Sequence, residues 1–353
     1  QDGDGIHIKS VVGLKDPQTA IASTNVNVIE GEFSVAIFRV SGLDTTPTLS
    51  TSELSDGIFG THGDPLNLKI GYDQCSGGKV TIVPGISNGL IDGVRDLEVP
   101  YNLYNVSSGV VRGYAQEYLA LRQFPSQEYD FLLFVLPAEV DFGGSLAFAS
   151  GKTSTYKDHY AIMYNVLMHE IGHGLGLGHS GEKYPVPYPP YYGVRSYADR
   201  TCLMGCPGIA DDLPRVCFNA AKSWFFGWYT DRHLTVDLSA KGGSVGAEVN
   251  LIGIHDTLYG GGLQEEQKTL VRISGESVGQ TDLYLLFNRA KGVTEGVPQY
   301  SDAITIVESE STPNRLSFLR AGLSLHTGPY HTREFTTAWG SHTLVVRLCE
   351  LVW

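Results

Sequence analysis

The sequence predicts an α/β domain over residues 1–232, with helices on a twisted mixed sheet, followed by an all-β sandwich or jelly roll over residues 233–353. Three observations support this division. The chain has 353 residues, more than one average domain. In the first part, apolar β-branched runs alternate with helical patterns. In the second part, short alternating strand patterns are separated by turns, and helical periodicity is absent.

Three strands are predicted in the first part because β-branched and aromatic residues cluster there. They cover residues 35–40, 79–83 and 131–136. Residues 112–121 are predicted to form a helix between the second and third strands. Residues 142–150 are small and apolar and include glycine, which predicts an edge strand with an open backbone rim.

The strongest helical pattern covers residues 158–175, with Asp158 as the expected N-cap. One face of this helix carries residues at helical spacing, namely Ile162, Val166, His169 and His173. The glycines from Gly172 onward are expected to end the helix, because glycine is a poor helix former.

Composition and charge exclude some classes of protein. The formal net charge of -13 argues against a nucleic-acid partner, since no basic stripe can neutralise phosphates. No apolar run approaches the roughly 20 residues that span a bilayer. A secreted, oxidising setting is expected, given five cysteines without a CxxC pair and one glycosylation sequon at residues 105–107. A monomer is also expected.

The segment HEIGHGLGLGHS at residues 169–180 has the spacing of a zinc site. His169 and His173 are four residues apart, so both imidazoles leave the same face of a helix. Gly176 allows the chain to turn, so that His179 can reach the same metal and leave a fourth position open. Glu170 is then placed to hold a water molecule and take its proton. The alternative is a helix with structural histidines.

The extended motif H-E-x-x-H-x-x-G-x-x-H is the metzincin signature when a Met-turn follows it, and Met204 follows His179 by 25 residues. The motif, Met204 and residues 217–229 (CFNAAKSWFFGWY) resemble gametolysin-type peptidases, which are secreted metzincins that degrade cell-wall glycoprotein. Residues 71–84 and 284–292 are also similar to that family. The resemblance implies a metzincin catalytic domain, three histidine zinc ligands, Glu170 as the catalytic residue and Met204 beneath the metal.

One departure from the family concerns Cys206, which stands two positions after Met204, where a tyrosine often occurs. An altered or redox-sensitive site is one interpretation. A disulfide near the turn is favoured, either Cys206 with Cys217 or Cys202 with Cys217, and the sequence leaves the pairing open.

The predicted function is that of a secreted zinc endopeptidase that hydrolyses internal peptide bonds of extracellular or cell-wall proteins. An extended substrate is expected to pair as an added strand with the edge formed by Gly144, Ser145, Leu146 and Ala147. The segment between His179 and Met204, including residues 184–197, is expected to wall the substrate pocket, with a stiff surface loop as the alternative. Asp211 and Asp212 are candidate calcium ligands, although a solvated acidic turn is favoured.

Two other functions fit parts of the sequence. The β-rich C-terminal part permits an adhesion or carbohydrate-binding protein with a structural or degenerate zinc site, but Glu170 argues against this because a structural site has no use for a base. Another metallohydrolase, such as an amidase, could use the same motif. The C-terminal part is expected to buttress the catalytic domain rather than bind substrate.

Overall fold

The computed structural model describes residues 6–9, 28–86, 88–182, 196–210, 213–237, 248–275, 281–309, 316–324 and 327, and strand segments at 330–331, 335–337, 340–342, 345–346 and 348–351. The chain divides into two compact units. One unit contains residues 30–177 and 208–213, and the other contains residues 1–29, 178–207 and 214–353. The predicted boundary between residues 232 and 233 stays a prediction.

Helices are fewer than strands in the described ranges. The α-helices in the described ranges are α1 (Thr51–Phe59), α2 (Leu68–Ser76), α3 (Ser108–Leu121), α4 (Tyr164–Gly174), α5 (Ala220–Phe225) and α6 (Ile254–Tyr259). None of these helices is long and apolar enough to cross a membrane. The strands are β1 (Ile6–Lys9), β2 (Gly31–Ser41), β3 (Val80–Pro84), β4 (Val94–Glu98), β5 (Phe131–Leu136), β6 (Ala147–Ser150), β7 (Thr153–Lys157), β8 (Ser180–Glu182), β9 (His233–Asp237), β10 (Glu248–Leu251), β11 (Gln267–Lys268), β12 (Leu270–Ser274), β13 (Asp282–Asn288), β14 (Ala303–Ser309), β15 (Ser317–Leu323), β16 (Tyr330–His331), β17 (Phe335–Thr337), β18 (Gly340–His342), β19 (Val345–Val346) and β20 (Leu348–Leu351).

The unit that contains residues 30–177 is built on a mixed sheet. Its strands follow the order β3, β2, β5, β7, β6, and β4 also pairs with β2. Strand β2 is parallel to β3 along its first half and to β4 along its second half. Strand β6 is antiparallel to β7 and ends the strand order. The mixed α/β fold and the three predicted strands are therefore confirmed, as β2, β3 and β5.

Both faces of this sheet are buried. On β2, Ala36, Phe38 and Val40 point into a core that α3 covers. Alternate residues of a strand point to opposite faces, and Val35 and Ile37 on the other face are also completely buried. Helices α1 and α2 pack beside β3, and α4 packs beside β6 and β7. Burial on both faces explains why these strands are continuous apolar runs rather than alternating ones.

The helix that carries the histidine motif begins later than predicted. Residues 158–161 form a 3-10 turn, and α4 starts only at Tyr164. Asp158 has a positive φ of 46°. Its buried carboxylate accepts hydrogen bonds from the backbone N–H and the hydroxyl of Thr48, both at 2.7 Å. Asp158 as N-cap is therefore wrong, because a residue 110 positions away uses its carboxylate instead.

The predicted edge strand is shorter than residues 142–150. Gly143 and Gly144 have φ values of 60° and 89°, and this turn delays the start of β6 to Ala147. Residues 144–146 precede the strand, although the carbonyl of Leu146 already accepts a hydrogen bond from the N–H of Lys157 at 2.9 Å. Strand β6 is nevertheless an edge of the sheet.

The second unit contains a six-stranded sheet in the order β8, β15, β14, β13, β12, β9. Its central strands are antiparallel, whereas β8 pairs with β15 and β9 with β12 in parallel. Leu251 of β10 packs into the same core as Leu285 of β13 and Ile306 of β14. A separate all-β domain over residues 233–353 stays a prediction.

His233, at the start of β9, is held neutral by its surroundings. Its ring stacks on Trp224 with the centroids 4.0 Å apart and the planes at 12°. Its Nε2–H donates to the carbonyl of Trp228 at 2.7 Å. Burial lowers the pKa of His233 to about 4, although the hydrogen bond to Trp228 acts in the opposite direction. Protonation of this ring therefore opposes folding.

Candidate metal centre

Helix α4 places two histidines on one face. The ring centroids of His169 and His173 lie 4.7 Å apart, with the planes at 83°, as expected for positions four residues apart on a helix. The helix is anchored from behind, because the hydroxyl of Tyr72 on α2 donates to the carbonyl of Met168 at 3.0 Å. Both Tyr72 and Met168 are completely buried. The helix that carries the two histidines is therefore held in place by buried contacts.

The turn after α4 fixes the tautomer of His173. Gly176 has a φ of 90°, a conformation that glycine adopts without strain. The N–H of Leu177 then donates to the carbonyl of Gly172 at 3.0 Å, and Nδ1 of His173 lies 2.8 Å from the carbonyl of Leu177. A carbonyl oxygen can only accept, so Nδ1 carries the proton and Nε2 keeps its lone pair for a metal.

The structure brings the three predicted ligands together. One ring nitrogen from each of His169, His173 and His179 lies within 4.8 Å of the others, and all three residues are partly buried. The ligand nitrogens of a tetrahedral zinc ion are about 3.3 Å apart, so small side-chain movements close the site. Three neutral imidazoles form a donor set that zinc accepts. Among the residues that the structure describes, no other three metal-ligating side chains converge in this way.

Glu170 lies between His169 and His173 in the sequence, and it is buried. Only 7% of the residue is exposed, and its Oε2 has no hydrogen-bond partner within the described ranges. Burial raises the pKa of this carboxyl group to about 8, and a cation bound at the histidines would lower that pKa again. A buried carboxyl oxygen without a protein partner is costly, and it is available to a water molecule or a substrate.

Met204 lies completely buried in a tight turn. The N–H of Gly205 donates to the carbonyl of Cys202 at 2.9 Å, and the N–H of Ser180 donates to the carbonyl of Met204 at 2.7 Å. A Cβ atom at Gly205 would lie 1.7 Å from the carbonyl oxygen of Asp199, so only glycine fits there. The turn is thus hydrogen-bonded to the residue after His179. The position of Met204 beneath a metal stays a prediction.

The cysteine pairings expected near this turn are wrong. Cys202 and Cys206 are both free thiols, the first buried and the second exposed, whereas Cys217 belongs to a disulfide. The sulfur of Cys202 instead accepts a hydrogen bond from the N–H of Asn219 at 3.4 Å. Burial raises the pKa of the Cys202 thiol to about 12. This thiol is therefore a packed structural group, and Cys206 faces solvent.

Two further residues lie near His179, of which Tyr197 was predicted only as part of the pocket wall and Lys222 was not predicted. The ring of Tyr197, which is half exposed, has its centroid 4.1 Å from that of His179. The ammonium of Lys222 donates to the carbonyl of His179 at 3.2 Å and is completely buried. Tyr197 belonged to the predicted wall because it lies between His179 and Met204, whereas a single charged residue inside the apolar run AAKSWFF was a usable signal for Lys222.

The structure says less about the other residues that were predicted to belong to the site. Of the predicted pocket wall at 184–197, only residues 196 and 197 lie within the described residues, and Asp211 and Asp212 also lie outside them. The edge strand β6 packs beside α4. The role of Gly144, Ser145, Leu146 and Ala147 in substrate binding stays a prediction.

The chain matches the model of a known protein family. The model of the gametolysin peptidase M11 family matches residues 32–251, which is more than half of the chain. The chain belongs to the gametolysin peptidase family. The resemblance seen in the sequence is thereby confirmed. The family is one of peptidases.

No curated protein matches this member of the gametolysin family. Solved structures are similar to it at low sequence identity. Catalytically inactive OgpA from Akkermansia muciniphila, solved with an O-glycopeptide, is 14% identical, with a TM-score of 0.36 over 58% of this chain and 62% of that one. This chain thus spans about three fifths of that structure. Wild-type OgpA is 12% identical, with a TM-score of 0.37 over 86% and 96% of the two chains. Archaemetzincin from Methanopyrus kandleri is 17% identical, with a TM-score of 0.28 over 56% and 94%.

Proposed function

We propose that this member of the gametolysin family is a secreted zinc endopeptidase of the metzincin type. Residues 1–232 would form its metzincin catalytic domain, and its substrates would be internal peptide bonds of extracellular or cell-wall proteins. The observation that carries the proposal is the convergence of the ring nitrogens of His169, His173 and His179, with the buried carboxyl group of Glu170 on the same helix. A purely structural metal site has no use for that carboxyl group.

The three imidazoles suit zinc because they are neutral nitrogen donors and leave a fourth coordination position open. When bound, zinc polarises the scissile carbonyl as a Lewis acid and lowers the pKa of a coordinated water molecule. The protein contributes orientation. The carbonyl of Leu177 holds Nδ1 of His173 at 2.8 Å, which fixes the ring and would make Nε2 the nitrogen that holds the metal.

Glu170 is the proposed general base and acid. Its carboxylate accepts a proton from the attacking water and returns it to the leaving amine. The residue is 7% exposed, so few water molecules compete for its oxygens and its electrostatic effect on the reaction is strong. General acid–base catalysis of this kind contributes about 10²- to 10⁴-fold to the rate.

The edge strand β6 is the proposed substrate-binding element. It ends the strand order of its sheet and packs beside α4. An extended peptide could add to this edge, contacting the segment from Gly144 to Ala147 through backbone hydrogen bonds. This recognition is tolerant of sequence. N-methylation removes a backbone N–H, so a peptide should be cleaved with a lower kcat/KM when its one N-methylated amide lies at a paired position. Equal cleavage of all such peptides would contradict this binding mode.

The proposed activity is tested by cleavage of denatured casein with the purified protein. Glu170→Gln keeps the shape of the side chain but cannot accept the proton, so the rate should fall by about 10²-fold or more while bound zinc and the melting temperature are retained. A chelator should abolish cleavage, and added zinc should restore it. His62→Ala, at an exposed histidine outside the triad, is the matched control for His179→Ala and should keep full activity.

New N-termini in the products would identify peptide-bond hydrolysis and distinguish a peptidase from another amidase. Zinc-loaded wild-type protein that cleaves no protein substrate would contradict the proposal and favour a binding protein. Secretion is tested separately, by recovery of the chain from the culture medium of cells that express its full gene.

A further inference from the structure

A buried group of polar side chains lies around the residue that follows the third histidine. We call it the Asp199 cluster, and its members are Ser180, Asp199, Thr201, Asn219, Lys222 and Ser317. Each of the six is at most 6% exposed. Charged residues are almost never fully buried unless they are paired. The cluster therefore needs a structural or functional reason.

Each oxygen of the carboxylate at the centre of the cluster accepts two hydrogen bonds. Oδ2 of Asp199 accepts from the hydroxyl of Ser180 at 2.6 Å and from Nδ2 of Asn219 at 2.9 Å. Oδ1 accepts from the N–H and the hydroxyl of Thr201 at 2.9 and 2.6 Å. The ammonium of Lys222 supplies an opposite charge in the same buried region. Such a satisfied network is rigid, because each bond restrains the others.

This network holds the backbone of His179 on both sides. The carbonyl of His179 accepts from Nζ of Lys222 and from the N–H of Ser317, both at 3.2 Å. The next residue, Ser180, donates its N–H to Met204 at 2.7 Å, and its hydroxyl lies 2.8 Å from that of Ser317. Both acceptor sites of the His179 carbonyl are thus occupied by donors from other segments.

The supporting residues come from the C-terminal sheet and a neighbouring helix. Strand β8 begins at Ser180 and runs parallel to β15, with Ser180 opposite Ser317. Lys222 lies on α5, whose N-cap Asn219 accepts from the N–H of Lys222 at 3.1 Å. The strand that follows the third histidine is therefore an edge strand of the six-stranded sheet.

We propose that Lys222 and Ser317 are positioning residues for the third metal ligand. They act through the carbonyl of His179 and the hydroxyl of Ser180, and hold the backbone so that the imidazole of His179 stays beside the other two histidines. This inference rests on the proposed function only in taking the three histidines as the zinc site. Outer groups that orient metal ligands typically change metal affinity about 10- to 100-fold when they are removed.

The test measures zinc affinity without using activity. The metal-depleted protein competes with a chromophoric chelator for zinc, and the melting temperature of each variant is recorded. Lys222→Met removes the donor and should raise the Kd for zinc by about 10- to 100-fold. Lys222→Arg keeps a charged donor and should recover part of the affinity. The visible spectrum of the cobalt(II) form should change in Lys222→Met, because the geometry of one ligand has changed.

Leu285→Ala is the matched stability control. Leu285 is buried in the core of the same sheet, but it points away from the face of β13 where Tyr284 contacts Trp224 of α5. This variant should melt at a lower temperature with an unchanged Kd for zinc. A Kd for Lys222→Met equal to that of wild-type protein, at a similar loss of melting temperature, would overturn the inference.

If Lys222→Met does not fold, Ser317→Ala decides the question. It removes the hydroxyl that contacts Ser180 but keeps the backbone donor to His179, so a rise in Kd supports positioning and an unchanged Kd overturns it. Wild-type protein that binds zinc but cleaves no peptide would refute the proposed function and leave this inference standing. Wild-type protein that binds no zinc would overturn both.

Discussion

Replacing Asn219 by alanine removes several contacts from the interior at once. The side-chain oxygen of Asn219 caps α5 by accepting from the N–H of Lys222 at 3.1 Å. Its Nδ2 donates to Asp199 and to Ser180, both at 2.9 Å, and lies 3.2 Å from the hydroxyl of Ser317. Asn219 is 1% exposed, so water cannot replace these partners in the folded protein.

The cost of Asn219→Ala follows from the kind of each bond. The lost N-cap costs about 1 kcal/mol, the bond to the ionised Asp199 about 2 kcal/mol, and the bond to the hydroxyl of Ser180 about 1 kcal/mol. The free energy of unfolding should therefore fall by about 4 kcal/mol. Asn288 is the comparison, because it is 4% exposed and its Nδ2 donates only to the neutral carbonyls of Gln299 and Tyr300, both at 3.0 Å.

Asn288→Ala should cost about 2 kcal/mol, since it loses two neutral hydrogen bonds. The cavity left by the shortened side chain is common to both variants. Thermal unfolding in the presence of a chelator removes any contribution of bound metal. A difference of about 2 kcal/mol should appear as a gap of about 4–8 °C between the two melting temperatures. Equal melting temperatures would refute the argument that the buried carboxylate makes Asn219 the costlier position.

Three further results are expected. Because burial lowers the pKa of His233 to about 4, stability should be lost as pH falls from about 6.5 towards 4, by up to about 3 kcal/mol; unfolding of His233→Phe should depend less on pH, and an equal dependence would contradict the assignment. Gly205→Ala should abolish soluble folded protein, because its Cβ has no room, whereas Gly113→Ala, with nothing within 4 Å, should fold and melt normally; a folded Gly205→Ala would count against the tight turn. A thiol reagent should label Cys206 in the native protein, and label Cys202 only after denaturation, since Cys206 is exposed and Cys202 buried; mass mapping of the peptides decides this.

The features that sequence predicted well depend on neighbours along the chain. Every residue of the run at 35–40 except Arg39 is apolar, so it became a strand buried on both sides. His169 and His173 meet because a helix repeats every 3.6 residues, and Gly176 supplies the positive φ that lets the chain turn towards His179. Local geometry was sufficient in each case.

The features that sequence did not predict depend on distant partners. Asp158 has the composition of an N-cap, but its carboxylate binds Thr48, 110 residues away. Cys217 seemed close enough in sequence to pair with Cys202 or Cys206, yet both of those thiols are free. The Asp199 cluster joins segments up to 137 residues apart. No periodicity or spacing encodes such contacts, because they arise only when separate elements pack.

The parallel pairing of β8 with β15 also determines when the metal centre can be completed during synthesis. Ser180 and Ser317 are 137 residues apart, and a ribosome adding about 5–20 residues per second needs roughly 7–27 s to cover that interval. Throughout that time the nascent chain already carries α4 and its two histidines, but one of the two donors to the carbonyl of His179, the N–H of Ser317, has not yet been made. Under the proposed function, proteolytic activity would arise only after Ser317 has been made, and the order of synthesis itself would delay a protease from acting on its own unfolded polypeptide.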